Sequence, residues 1–303
     1  MKEEILNRIR TLVGDSNVST DSLLKDYTTF KVGGLMKAFV KVMDAESLRK
    51  LIVLFKGENV DYLIIGNGSN LLASDQGFDG VVIKLEGEFN EVSAKDTIIT
   101  AGSGAILGSV CKVALDNSLT GLEFAYGIPG TIGGAMVMNA GAYDGEMKDV
   151  VKTVEAITSD GELITLSNAD MKFEYRNSIV KKEGLIVTRV VMELKPGNKD
   201  DIKAKMDDLM GRRVSKQPLE FPSAGSTFKR PKDNFAGKLI MESGLSGFRV
   251  GGACVSPKHC GFVVNDQGAS AKDIDDLMNE VIKKVKEDTG IVLEPEVIKI
   301  GRF

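Results

Sequence analysis

The stretch Gly127–Tyr143, GIPGTIGGAMVMNAGAY, holds five glycines in seventeen residues and no charged side chain. A loop facing water is more polar than this. A helix built with so much glycine is weak, because each interior glycine costs about 1 kcal/mol relative to alanine. The glycines at 127, 130, 133, 134 and 141 are too irregularly spaced for helix packing alone, and Pro129 stiffens the turn between two of them. The composition suits a backbone pressed against a flat or elongated ligand that it touches through main-chain groups. A tightly packed crossing between domains satisfies it equally well, and at this level both readings stay open.

A second glycine segment, IIGNGSNLL (Ile64–Leu72), follows an apolar run that reads as a buried strand. Gly66 and Gly68 allow a sharp turn with close approach of the backbone, consecutive amides in such turns form an anion nest, and Ser69 and Asn70 add donors. A tight turn between strands is the alternative. A dinucleotide fingerprint would place its third glycine at position 71, which is leucine, and no GxxxxGK[ST] occurs.

Around these segments, strand and helix patterns alternate. AFVKV (38–42), DYLIIG (61–66) and GVVIKL (80–85) read as strands, with Asp44 as N-cap of the helical ESLRKLIVLFKG. TIITAG (97–102) leads through a glycine turn to a helix over 106–117. Further strands are expected near 151–158, 162–166 and 185–194. The polar KPGNKD (195–200) reads as a domain boundary. Beyond it come helical patterns in IKAKMDDLMGRRVS and in AGKLIMESG, the strand FVVN, and an amphipathic helix over 271–288. That helix places Ile274, Leu277, Val281, Ile282 and Val285 on one face, between Ser270 as N-cap and Gly290 as stop. The last strand, IVLEPEVIKI, contains Pro295, which points to an edge or a bulge.

Composition narrows the chemistry. The 303 residues suffice for two or three domains, 43% are hydrophobic, and the net charge of −4 gives no drive toward nucleic acid. No apolar run approaches the roughly 20 residues of a membrane helix, so no membrane insertion is expected. The N-terminus, MKEEILNRIRTLVGDS, looks like an amphipathic helix and lacks the apolar core of a secretory signal. Three cysteines, Cys111, Cys254 and Cys260, are too few and odd for a disulfide framework, which fits a cytoplasmic location. The single histidine, His259, rules out a His-rich zinc site. Neither CxxC, HExxH nor GxSxG occurs, and no metal site is expected.

Seven segments in order resemble the flavin-dependent UDP-N-acetylenolpyruvoylglucosamine reductases: TTFKVGG (28–34), GNGSNLL (66–72), GLEFAYGIPGTIGGAMVMNAGAY (121–143), EYRNS (174–178), PSAGSTFKRP (222–231), GLSGFRVGGACVSPKHCGFVVN (244–265) and LEPEV (293–297). The resemblance spans nearly the whole chain. It implies an α+β or α/β fold: a two-subdomain FAD-binding fold of the vanillyl-alcohol-oxidase type, divided over 1–85 and 86–196, plus a C-terminal α+β substrate domain over 197–303. It further implies non-covalent FAD, NADPH as co-substrate, UDP-N-acetylglucosamine enolpyruvate as substrate, and a monomer or weak oligomer. Gly66, Asn67, Gly68, Ser69 and Asn70 are then assigned to the flavin pyrophosphate. Gly127, Pro129, Gly130, Thr131, Gly133, Gly134, Asn139 and Ala140 are assigned to the wall around the isoalloxazine and diphosphate. Only IVKKEG separates Ser178 from the next strand, so the chain looks like the shorter form without an extra tyrosine-bearing loop.

The same resemblance assigns three catalytic roles. Arg176 would stabilise the developing enolate, since a guanidinium grips a carboxylate bidentately and keeps its charge. Glu296 would act as a hydrogen-bonding acid rather than a bare anion, with Glu294 as the local competitor. Ser226 would donate the proton, with Ser223 and Thr227 as alternatives by chemistry alone. Tyr175, Lys229, Arg230, Lys238 and His259 are expected to meet the substrate. Arg249 is a further candidate cation, and many family members carry asparagine where this chain has Arg230. His259 serves either a ligand or its own loop, and Tyr126 and Tyr143 either the flavin region or the core.

Overall fold

A computed structural model describes residues 1–303. The chain divides into two compact units. One comprises Met1–Thr20, Ala38–Asn67 and Gly80–Arg212; the other comprises Asp21–Lys37, Gly68–Asp79 and Arg213–Phe303. The units therefore interleave along the sequence and do not follow cuts at 85/86 and 196/197.

In the first unit, the amphipathic N-terminus forms the helix Glu3–Val13, whose Ile5, Leu6 and Ile9 share a core with Leu48, Leu51, Ile52 and Phe55 of the helix Ala45–Glu58. Asp44 caps the latter, accepting from the Ser47 N–H at 2.8 Å, and Asn59 ends it in the left-handed region. The adjoining sheet has the strand order Val18–Ser19, Met36–Val42, Phe78–Leu85, Tyr62–Ile65, the last pair being parallel. A second, antiparallel sheet runs Leu163–Ser167, Val151–Ile157, Ile186–Glu193, Ile98–Gly102, Val92–Lys95. The helices Leu107–Asp116 and Ile132–Met138 share its core through Val110, Ile132 and Met136.

Two sequence expectations change here. KPGNKD is not the boundary. Lys195–Pro196 pairs with Leu119–Thr120, the Gly197 N–H donates to the Ser118 carbonyl at 2.8 Å, and Ile202 and Met206 of the helix Lys199–Lys216 are buried in the first unit's core. The passage to the second unit lies inside that helix, at Arg212–Arg213. The uncharged glycine run, whose glycine content weakens a helix, nevertheless forms one over Ile132–Met138. Glycine gives close packing there: a Cβ on Gly133 would lie 3.1 Å from both the Cβ and the carbonyl oxygen of Ser103.

In the second unit, the strands Arg249–Val250, Ala253–Val255 and Val263–Asn265 form an antiparallel sheet. The helix Ala271–Thr289 shares its core through Ile274, Leu277, Met278, Val281 and Val285, each worth about 2 kcal/mol of burial. Ser270 and Asp273 form a capping box at its start, and Asp75 accepts from the N–H groups of Ala271 and Lys272 at 2.9 and 3.1 Å. Only Ile298–Ile300 of the final segment is a strand, parallel to Leu71–Ala73; Pro295 makes an isolated antiparallel bridge with Phe228. All three cysteines are free and buried, and burial, reinforced by Glu123, pushes the Cys111 thiol up to about 12. No helix is long and apolar enough to cross a membrane.

Candidate active site

In the first unit, a cleft of about 460 Å³ gathers three chain segments: the strand end Ile64–Asn67, the turn Ser103–Ile106, and Thr131, Gly133 and Gly134 at the start of the glycine-run helix. Val137, Val180, Leu185 and Val187 add apolar walls, and Lys84, Glu86 and Asn90 add polar ones. The glycine segments are laced together by their own backbones. Leu107 N–H donates to Gly130, Ile132 N–H to Ala105 and Gly133 N–H to Ser103, at 3.0, 2.9 and 2.7 Å. The Asn67 side-chain amide donates to the Pro129 carbonyl at 2.9 Å.

These contacts explain one glycine and leave another open. A Cβ on Gly66 would lie 2.4 Å from Thr131 Oγ1, so Gly66 is where the two segments touch. Thr131 Oγ1 in turn accepts from the Gly134 N–H at 3.4 Å as N-cap. A Cβ on Gly134, by contrast, would meet only Thr131 Oγ1, at 3.6 Å. One buried side-chain atom of a cleft-lining residue has no protein partner: the Ser103 hydroxyl, in a residue 3% exposed. A buried hydroxyl without a hydrogen bond is costly, about 1–3 kcal/mol, so the site is set up to receive a polar ligand atom. Ser103 was not singled out in the sequence; the only signal was its place between glycines after a strand, in ITAGSGA.

The arginine of EYRNS lies in the same unit, on a tight turn. Glu174 and Asn177 exchange backbone hydrogen bonds of 3.0 and 3.2 Å, and Arg176 between them takes φ +54°, a left-handed conformation rare outside glycine. Its guanidinium donates to the Gly141 carbonyl at 3.1 Å and lies 5.0 Å from the centre of the exposed Tyr175 ring. The Asn177 amide and the Lys182 ammonium hold the Glu174 carboxyl below the usual carboxylate range. Ser178, fully buried, donates to the Val137 carbonyl at 3.2 Å.

Asn139, expected at the cofactor, has its side chain engaged by the protein. It is fully buried and left-handed at φ +41°. Its amide donates to Glu146 Oε2 at 2.8 Å and to the Glu174 carbonyl at 3.2 Å, and its Oδ1 accepts from the Lys148 N–H at 3.0 Å. Ala140 is likewise tied down, donating to Ala135 and accepting from Met147. Tyr143 donates to the Leu209 carbonyl at 2.7 Å.

In the second unit, Gly68 is required by the protein, since a Cβ there would lie 2.0 Å from the Tyr27 carbonyl oxygen, and its φ is +61°. Ser69 is half-buried. The Asn70 amide donates to the Glu296 carbonyl at 3.1 Å. The serine segment runs antiparallel to the LEPEV segment: Glu296 N–H donates to Thr227, and Lys229 N–H to Glu294, at 2.9 and 2.8 Å. Gly225, at φ +75°, precedes Ser226, which is exposed. Thr227 is fully buried, and its Oγ1 accepts from the Val263 N–H at 2.9 Å. Of these two neighbouring hydroxyls, therefore, only that of Ser226 is open. Glu296 is half-buried, whereas Glu294 is exposed and paired with Lys229 at 3.0 Å.

The expected cations differ in how committed they are. Arg249 is locked in a fork with Asp266, at 2.8 and 2.6 Å, which holds the Asp266 carboxyl below its usual range. Arg230 stacks over Phe235 at 4.1 Å and donates to the Asn234 carbonyl. Lys238 is exposed, 3.8 Å from Glu242. His259 structures its own loop: Nδ1 accepts from the Gly261 N–H at 3.1 Å, and the ring meets Phe262 edge-on. Burial lowers its pKa.

Comparison with known proteins joins these two sites to one family. Residues 36–167 match the FAD binding domain, and residues 217–300 match the C-terminal domain of UDP-N-acetylenolpyruvoylglucosamine reductase. The chain is 48% identical over 299 residues to the UDP-N-acetylenolpyruvoylglucosamine reductase of Clostridioides difficile strain 630, covering 99% of this chain and 98% of that one. It is 48% identical over 288 residues to that of Clostridium perfringens strain 13, covering 95% and 94%. Among solved structures, the UDP-N-acetylenolpyruvylglucosamine reductase of Thermus caldophilus superposes with a TM-score of 0.81 at 38% identity, covering 92% of this chain and 98% of that one. Phl p 4.0202, a glucose dehydrogenase, shares the fold alone, with a TM-score of 0.50 at 14% identity over 65% of this chain and 44% of that one. The chain belongs to the UDP-N-acetylenolpyruvoylglucosamine reductase family.

Proposed function

We propose that this protein reduces UDP-N-acetylglucosamine enolpyruvate to UDP-N-acetylmuramate, using non-covalent FAD and NADPH, in the cytoplasmic phase of peptidoglycan synthesis. The observation that carries the reading is the glycine-laced cleft with the unpartnered Ser103 hydroxyl, in the same unit as an arginine held in a left-handed turn. The orphaned hydroxyl, the cleft face of Gly134 and the apolar walls fit a flavin dinucleotide. When bound, the flavin supplies relay of a hydride from NADPH to the methylene carbon of the enol ether.

The chain's own residues then handle charge and proton. Negative charge grows on the carbon next to the one that receives hydride and spreads into the carboxylate. Arg176 grips that carboxylate with a charge that is always present, and stabilisation of this kind is commonly the largest catalytic contribution. Ser226 Oγ–H gives its proton to the same carbon, a transfer a weak acid makes only to a strong base such as an enolate. Glu296 contributes as a protonated acid, since a bare carboxylate would repel the developing charge. NADPH, one proton and the enol ether thus become NADP+ and the lactyl ether.

In this reading Lys229, Arg230, Lys238 and Tyr175 meet the substrate, while Arg249 remains in its fork with Asp266. The deciding experiment is flavin uptake by the purified chain, followed by NADPH oxidation with and without UDP-N-acetylglucosamine enolpyruvate. Oxidation that depends on the enol ether supports the proposal. A protein that cannot be reconstituted with FAD rejects it.

A further inference from the structure

Asn139 lies where three pieces of the first unit meet. It ends the helix Ile132–Met138, whose start lines the cleft. Through Glu146 it grips the hairpin formed by Gly141–Ala142 and Gly145–Glu146, and through the Lys148 N–H the helical turn Met147–Asp149 that follows. Through the Glu174 carbonyl it grips the turn that carries Arg176. The hairpin in turn supplies the Gly141 carbonyl to which the Arg176 guanidinium donates. Every polar atom of the Asn139 side chain is used in this way, and the residue is fully buried.

We infer that Asn139 is a positioning residue for Arg176: its side chain fixes the arginine turn against the end of the cleft-lining helix. The role depends on two chemical properties of asparagine. It tolerates the left-handed backbone at this C-cap, and its amide offers two donors and an acceptor in one plane. Ser178, bonded to the Val137 carbonyl, makes a parallel link from the same helix to the residue two beyond Arg176, so the turn is held from both sides. A buried network of this kind specifies one geometry when every member is satisfied. Misplacement of a charge-stabilising group by about 1 Å is enough to cost about a hundredfold in rate.

This inference rests on the reductase reading of the site, and the experiment separates the two. Wild type, Asn139→Gly and Asn139→Asp are purified with flavin, and two half-reactions are followed by flavin absorbance: reduction by NADPH, and re-oxidation by UDP-N-acetylglucosamine enolpyruvate. Glycine keeps the left-handed backbone and removes the side chain; aspartate keeps shape and backbone but loses both donors. The expected result is flavin content and NADPH half-reaction within about twofold of wild type in both variants, with re-oxidation slowed about tenfold to a hundredfold. Aspartate is expected not to rescue. Flavin loss, equal slowing of both half-reactions, or failure of both variants to fold overturns the role. So does wild-type re-oxidation in the aspartate variant, which would make Asn139 a space-filler. A wild type that takes up no flavin overturns the underlying reading instead, before any variant is compared.

Discussion

The backbone N–H of Glu296 donates to the carbonyl of Thr227 at 2.9 Å, which ties the AGSTF segment to LEPEV in one short antiparallel pairing. That pairing separates two adjacent hydroxyls: Ser226 faces out, and Thr227 is buried with its oxygen occupied by the Val263 N–H. Ser226→Ala is therefore expected to bind flavin and react with NADPH normally while turnover of the enol ether falls by about a hundredfold or more. Wild-type turnover in Ser226→Ala would remove it as the proton donor. Thr227→Val should act on the fold, leaving a buried N–H unpaired at a cost of about 1–3 kcal/mol, with rate per folded molecule unchanged. Chemical denaturation and flavin-normalised kinetics tell the two apart.

Ser103→Ala has opposite expected effects on the two forms of the protein. In the flavin-free form, removing a buried hydroxyl that has no partner should leave stability unchanged or raise it by about 1 kcal/mol. In the flavin-bound form the lost hydrogen bond should weaken FAD binding by about tenfold. Fluorescence titration with FAD and a melt of the stripped protein give both readings. A destabilised apoprotein with unchanged affinity would mean that Ser103 serves only the fold.

The glycines of the run are not equivalent. Gly134→Val places its side chain where only Thr131 Oγ1 is near, so it should fold and lose flavin. Gly133→Val drives into Ser103 and should lose stability as well, by about 1–3 kcal/mol. Spectral flavin content against far-UV melting separates the outcomes. Normal flavin retention in Gly134→Val would turn this stretch into a packing element.

Arg176 carries backbone strain of about 1–3 kcal/mol at φ +54°. Arg176→Gly relieves it, so the variant should melt within about 1 kcal/mol of wild type, while turnover falls by about a hundredfold or more. An unchanged rate would reject its electrostatic role.

His259 is the only imidazole in the chain, and burial lowers its pKa from 6.5. The unfolded chain therefore binds a proton more readily than the folded one. This contribution to stability is present above pH 6.5 and is lost as pH falls from there through the lower folded value. Protonation at Nδ1 would also remove the acceptor for the Gly261 N–H. Melts across this window should show the loss, and His259→Asn, which keeps an acceptor near Nδ1 without titrating, should flatten it. An identical pH slope in the variant would place the effect elsewhere.

Local chemistry was legible in the sequence. Asp44 and Ser270 start their helices, and Gly290 ends the second in a left-handed conformation, because caps depend on a few adjacent residues. The family was legible too, through seven segments in order. Legibility failed where distant chain decides the outcome. KPGNKD has the composition of a linker, yet Lys195–Pro196 is paired to Leu119–Thr120. The glycine run looked unfit for a helix, yet Ser103 and Ala105 supply carbonyls that hold its start, and Gly133 packs closely on Ser103.

The sequence by itself determined the residue types at each glycine turn, cap and candidate catalytic position, because those are set by local backbone freedom and side-chain chemistry. Only the tertiary structure decided what each one touches. Asn70 and Glu296 are bonded across 226 positions, the Asn139 amide reaches the Glu174 carbonyl, and a Cβ on Gly68 would meet the Tyr27 carbonyl. Such contacts are chosen by how strands from distant parts of the chain pair and close-pack, and no local pattern encodes the partner.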